Sequence, residues 1–111
     1  MNFENKPKYF LLTKTLKQGE MIAYIKAQDV PPKIIDGLLE CFKIAKQEGL
    51  DFLQRAASHK PRVYRHSFKA YYHPLDDSVS IIAWGYNRPL GAARVSLKTG
   101  DIISKNKPIY Q

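Results

Sequence analysis

The sequence predicts a single two-layer α+β domain, with one main helix packed on an antiparallel meander of three to five strands. Three observations predict it. A chain of 111 residues has room for one domain. Between Pro32 and Gly49 the apolar residues recur at helical spacing, and beyond Pro61 the period changes to two, broken by turn residues. No repeat, low-complexity tract or linker divides the sequence, so residues 1–111 are read as one domain with 1–7 as a loose lead-in. No apolar run approaches the ~20 residues of a membrane span. The start, Met1-Asn2-Phe3-Glu4-Asn5-Lys6-Pro7, lacks the basic and apolar regions of a secretory signal, so the expectation is a cytoplasmic protein with no membrane partner.

Tyr9-Phe10-Leu11-Leu12 is the first strand expected, from its β-favouring residues. Leu16 to Gln28 fits two templates: Met21, Ile22 and Ile25 make a helical face, and Met21, Ala23 and Ile25 alternate as a strand would. Asp29 followed by Pro31-Pro32 marks a helix entry, since proline is tolerated in the first turn. Ile34, Ile35, Leu38, Leu39, Cys41, Phe42 and Ala45 then form one stripe, opposite Lys33, Asp36, Glu40, Lys43 and Gln47. Gly49 is the expected stop, and Leu50, Phe52, Leu53 and Ala56 suggest a second helical piece that Pro61 must end.

In the next strand Tyr64, His66, Phe68, Ala70 and Tyr72 share one face, and Arg65, Ser67, Lys69, Tyr71 and His73 the other. His73-Pro74-Leu75-Asp76-Asp77-Ser78 has turn composition. Val79 to Tyr86 is apolar on both faces, as a central strand should be, and Asn87-Arg88-Pro89 is the next expected turn. Ala93, Val95 and Leu97 alternate with Arg94, Ser96 and Lys98. Lys98-Thr99-Gly100-Asp101 then connects tightly to Ile102-Ile103.

Charge is the bulk property that bears most on function. Eighteen Lys and Arg against ten Asp and Glu give a formal +8, which favours an anionic partner. Positions 52–75 hold no acidic residue. They carry Arg55, Lys60, Arg62, Arg65 and Lys69 with His59, His66 and His73, interleaved with Tyr64, Phe68, Tyr71 and Tyr72. Cations and aromatic planes on one strand face suit phosphate and base recognition. They suit a carboxylate-rich protein surface equally, where Arg and Tyr serve as anchors. The residues assigned to partner binding are Arg62, Arg65, Lys69, Tyr71, His73 and Arg88.

Catalytic and cofactor readings have less to stand on. His66 or His73 with Arg65 or Lys69 is the only set that could act on RNA, and alternation puts His66 on the apolar face. Three histidines without a carboxylate at ligand spacing do not make a metal site. Cys41, the only cysteine, sits among Leu38, Leu39 and Phe42 as a small hydrophobe. Asp76-Asp77 belongs to a turn, and Trp84 to the core. No catalytic residue, cofactor or metal is assigned, and oligomeric state is left open.

Ser80-Ile81-Ile82-Ala83-Trp84-Gly85, with the run Pro89-Leu90-Gly91-Ala92-Ala93-Arg94-Val95-Ser96-Leu97-Lys98-Thr99-Gly100-Asp101-Ile102-Ile103, resembles small bacterial immunity proteins with cystatin-like or nuclear-transport-factor-like sheets. The resemblance covers about a quarter of the chain and lies in its hairpins, so it brings no site residue with it. It implies an immunity or inhibitor protein that binds and neutralises a toxin or other effector without catalysis. Immunity proteins against nucleases are usually acidic, so a basic one would need an acidic target surface. The strand–helix–helix–three-strand order of residues 8–97 also resembles RelE-type ribosome-dependent ribonucleases, which implies the alternative of a small basic RNA-binding or RNA-cleaving domain. An acidic protein partner is the first expectation and RNA the second.

Overall fold

The computed structural model describes residues 15–56 and 67–103. The expected strand Tyr9–Leu12 and the positions Arg62, Tyr64, Arg65 and His66 lie outside them. The described elements run in the order β1 (Leu16–Lys17), α1 (Gln18–Lys26), α2 (Pro32–Ala56), β2 (Ser67–His73), β3 (Ser78–Gly85) and β4 (Arg88–Ser96). The four strands form one antiparallel sheet in sequence order, and α2 packs across β4 and β3, giving the expected two-layer α+β domain.

The segment that fitted two templates is helical from Gln18. Met21 and Ile25, four residues apart, are buried, and Ala23, which a strand would place beside them, is exposed. The Glu20 carboxylate accepts the Lys17 N–H at 2.8 Å, satisfying a donor at the helix start. α2 begins where the two prolines place it. The Pro31 carbonyl accepts the N–H groups of Ile34 and Ile35, and Pro32 has no N–H to leave unpaired.

α2 does not stop at Gly49; it is one continuous helix of 25 residues. The reason lies across the interface. Gly91 of β4 sits so close to the helix that a β-carbon there would lie 2.5 Å from the Ala45 carbonyl oxygen and 2.7 Å from the Gly49 nitrogen. Gly49 is thus a thin point in the helix wall and is itself buried. About three helix turns earlier, Gly37 meets the Gly100 backbone and Val95 in the same way. Along the same stripe Ile34, Leu38, Cys41, Phe42 and Ala45 bury against Phe68, Ala70, Val79, Ile81, Ala83, Ala93 and Val95. The Phe42 and Phe68 rings lie 4.6 Å apart between centroids.

The second turn is shorter than expected and begins one position earlier. Tyr86 and Asn87 form it, and Arg88 and Pro89 already belong to β4. β4 carries one residue more than β3 there: Ala83 faces Gly91, but Trp84 faces Pro89, with Leu90 as the extra residue. Pro89 donates no hydrogen bond, which makes a bulge the natural place for it in a strand. The outer edge of β4 is covered further along. Glu48 accepts the Ala92 N–H at 3.2 Å, Asp101 accepts from Ser96, and Ile103 donates to the Arg94 carbonyl. Among the described residues no helix is long and apolar enough to cross a membrane.

Two glycine substitutions separate close approach from backbone entropy. Gly91→Ala must push the helix off the strand and is expected to lose about 1–3 kcal/mol or more, as overpacked cores do. Gly19→Ala, where an added β-carbon meets nothing within 4 Å, should gain up to about 1 kcal/mol through reduced chain entropy. Denaturant unfolding of the two variants checks both signs.

Candidate functional site on the open sheet face

Because α2 takes one face of the sheet, register decides what the other face carries. Lys17 lies opposite Ser67, and the rungs Ser67–Trp84, Lys69–Ile82, Tyr71–Ser80 and His73–Ser78 cross from β2 to β3. Ile82, Ser80 and Ser78 continue to Ala92, Arg94 and Ser96 on β4. Strand alternation therefore places Lys17, Lys69, Tyr71, His73, Trp84 and Arg94 on one surface. It has two unlike ends.

At the end near the β2–β3 turn the polar groups bond to one another. His73 Nε2 and Ser80 Oγ share a 2.8 Å hydrogen bond. Ser78 Oγ donates to Asp76 Oδ1 at 2.6 Å and accepts from Arg94 Nε at 2.8 Å, and Arg94 Nη2 reaches Asp76 Oδ2 at 2.7 Å. The turn is tied from below: the Tyr72 hydroxyl donates to Asp77, and the Asp77 carbonyl accepts from Leu97. Burial, and then the nearby Arg94 guanidinium, push the His73 pKa below its ordinary value, against a smaller opposite pull from Asp76. Bonds from Ser78 and Arg94 hold the Asp76 carboxyl below the usual carboxylate range. A serine bonded to a histidine has the form of a nucleophile and its base. Ser80, however, has 0% of its surface exposed, so its hydroxyl has no room for a substrate and the bond serves the sheet.

The other end is open. A cleft of about 400 Å³ is lined by Thr15, Ser67, Lys69, Trp84, Gly85, Tyr86 and Asn87. The Lys69 ammonium lies 4.2 Å from the centre of the Trp84 ring, a contact worth about 0.5–1 kcal/mol where water reaches it. No carboxylate lines the cleft among the described residues. Its lip is the Tyr86–Asn87 turn, whose φ angles of 54° and 61° are both left-handed. Two such angles suit a tight hairpin, but a residue with a β-carbon gives up about 1–2 kcal/mol to adopt one. Tyr86 adopts it with 69% of its surface exposed.

The structure brings Lys69, Tyr71 and His73 together as alternation predicts, with Tyr71 exposed and His73 half-buried. Arg88 does not join them. The bulge at Leu90 resets the alternation, and its guanidinium lies 5.2 Å from the Phe52 ring centre on the helix side. Arg62 and Arg65 lie outside the described residues. Trp84, expected in the core, is half-buried on the open face beneath Lys69. The register of Trp84 with Ser67 was the available signal for its placement. Sequence reasoning also passed over Arg94, which alternation put opposite the apolar Ala93 and Val95. Cys41 is fully buried, and burial pushes its thiol up to about 12. Among the described residues no group of three His, Cys, Asp or Glu side chains converges as metal ligands would. The chain matches no protein-family model, and neither a curated protein nor a solved structure matches it.

The His73 network predicts an acid-sensitive fold. A proton is bound less readily by folded than by unfolded His73, so stability is present above the ordinary value of 6.5 and falls as pH drops below it. Asp76 acts lower: its contribution is present above 3.8 and is lost as pH falls through the depressed folded value. Thermal midpoints recorded between about pH 7.5 and about pH 5 should decline for the parent. They should flatten for His73→Gln, which can still bond to Ser80; an undiminished slope in that variant would assign the loss to another group.

Proposed function

We propose that the protein is a non-catalytic binding protein, an immunity or inhibitor protein that neutralises a toxin or other effector by holding an acidic surface against the open sheet face. The observation that carries this reading is the pairing of Lys69 with Trp84 beside exposed Tyr71, on a face where His73 is already committed to Ser80. A cation and an aromatic on a rigid strand give a partner charge complementarity and contact area at small entropic cost. Proton transfer would need a histidine that is accessible and titrates near neutrality. His73 is half-buried, and its pKa is lowered.

The RNA reading asks for more cations in a row. Single-strand binders follow the phosphates with a basic groove and stack several bases on aromatic planes. On the described open face, Lys17 and Lys69 stand near one end, and Arg94 is paired with Asp76. That arrangement fits one localised acidic contact better than a phosphate track.

Co-purification with the product of a neighbouring gene tests the proposal. Within such a complex, Lys69→Ala and Tyr71→Ala should each weaken association by about 1–3 kcal/mol where the contact is a hot spot. His73→Ala should change affinity little. Cleavage of RNA by the purified parent, lost in His73→Ala with binding retained, would overturn the reading.

A further inference from the structure

The cleft at the open end has a shape and chemistry of its own. Resting on the binding reading above, we propose that it receives a carboxylate-bearing side chain of the protein partner, with Lys69 as the counter-charge and Tyr86 as the exposed aromatic beside it. A volume of about 400 Å³ lies at the small end of the range for ligand sites, enough for one or two side chains. Of its lining residues, Lys69, Thr15, Ser67 and Asn87 carry donor groups of the kind that recognise an anion. Lys69 is held in place by the Trp84 ring, so binding a carboxylate does not first have to order a free lysine chain.

Carboxylate is favoured over a nucleic-acid backbone by the number of cations present. The cleft offers one among its described residues, enough to balance one carboxylate, whereas a chain of phosphates is followed by a groove carrying several. The turn adds an independent observation. Tyr86 keeps a left-handed backbone that a glycine or asparagine would adopt with less strain, and most of its ring faces water. An unfavourable backbone with an exposed aromatic at the mouth of a cleft is the pattern of a residue placed for contact with a ligand. Asn87, beside it, is a residue type that tolerates the same conformation.

Trp84 is the only tryptophan in the chain, so its intrinsic fluorescence reports from inside the cleft. The probes are a fluorescein-labelled hexaglutamate peptide and a labelled mixed-sequence single-stranded RNA, each titrated with the full chain. The expected result is a saturable rise in peptide anisotropy with a Trp84 emission change at the same midpoint. Lys69→Gln should weaken peptide binding about tenfold, the loss of one well-placed contact. Tyr86→Asn should also weaken it several-fold while raising the thermal midpoint, whereas a residue serving the fold alone would lower the midpoint when replaced. Peptide binding with silent Trp84 emission overturns the cleft assignment and leaves the acidic-partner reading standing. RNA binding at the cleft more tightly than the peptide overturns the choice of carboxylate. Absence of peptide binding overturns both readings.

Discussion

The close approach of α2 to β4 sets the rest of the molecule. The approach is closest at two glycines, Gly91 against the backbone of Ala45 and Gly49, and Gly37 against Val95 and the backbone of Gly100 in the turn after β4. Interior packing tolerates little void. With the backbones this close, small and medium side chains fill the gap between the two contacts: Ala45, Ala83, Ala93, Val95, Cys41 and Leu38. The same approach brings Glu48 within reach of the Ala92 N–H on the strand edge. Burial raises the pKa of that carboxyl, partly offset by the bond to Ala92. The apolar layer and one edge of the sheet therefore depend on the same seam.

Commitment of one face to the helix determines the character of the other. β3 is an inner strand, and its outward residues Ser78, Ser80 and Ile82 are buried although α2 lies on the far side. Buried hydroxyls need partners, and His73, Asp76 and Arg94 supply them. Polar groups near the β2–β3 turn are thereby used internally, and the side chains left for outside contact gather toward the opposite end. Tyr71, Lys69 and Tyr86 lie along that path, from mid-strand to the rim of the second turn.

Most of the fold was legible because two strong periodicities coincide with burial. The stripe from Ile34 to Ala45 and the alternation of Phe68 and Ala70 with Lys69 and Tyr71 are both found as read. The helix end was misread at Gly49 because a glycine that stops a helix and a glycine that admits a neighbouring strand look alike in one sequence. Only Gly91, more than forty positions away, distinguishes them. Leu16 to Gln28 was ambiguous because its apolar residues satisfy both periods, and the exposure of Ala23 resolves it. The site was legible in part. Lys69, Tyr71 and His73 follow from alternation, but Arg88 does not, because one extra residue at Leu90 turns the end of the strand over. Trp84 looked like core because the apolar run Ile81-Ile82-Ala83 precedes it, and only its pairing with Ser67 shows which layer it faces.

The covered edge of β4 also governs how this sheet can associate. An open strand edge is a template on which another extended chain can add, and sheets of this size are prone to grow or aggregate through it. Here the Glu48 carboxylate and the backbone of Asp101 and Ile103 already occupy hydrogen-bonding positions along β4. A second strand arriving there would have to displace both a helix side chain and the return of the chain after Gly100. Edge-to-edge growth through that half of β4 is thus blocked by a helix side chain and by the chain's own return.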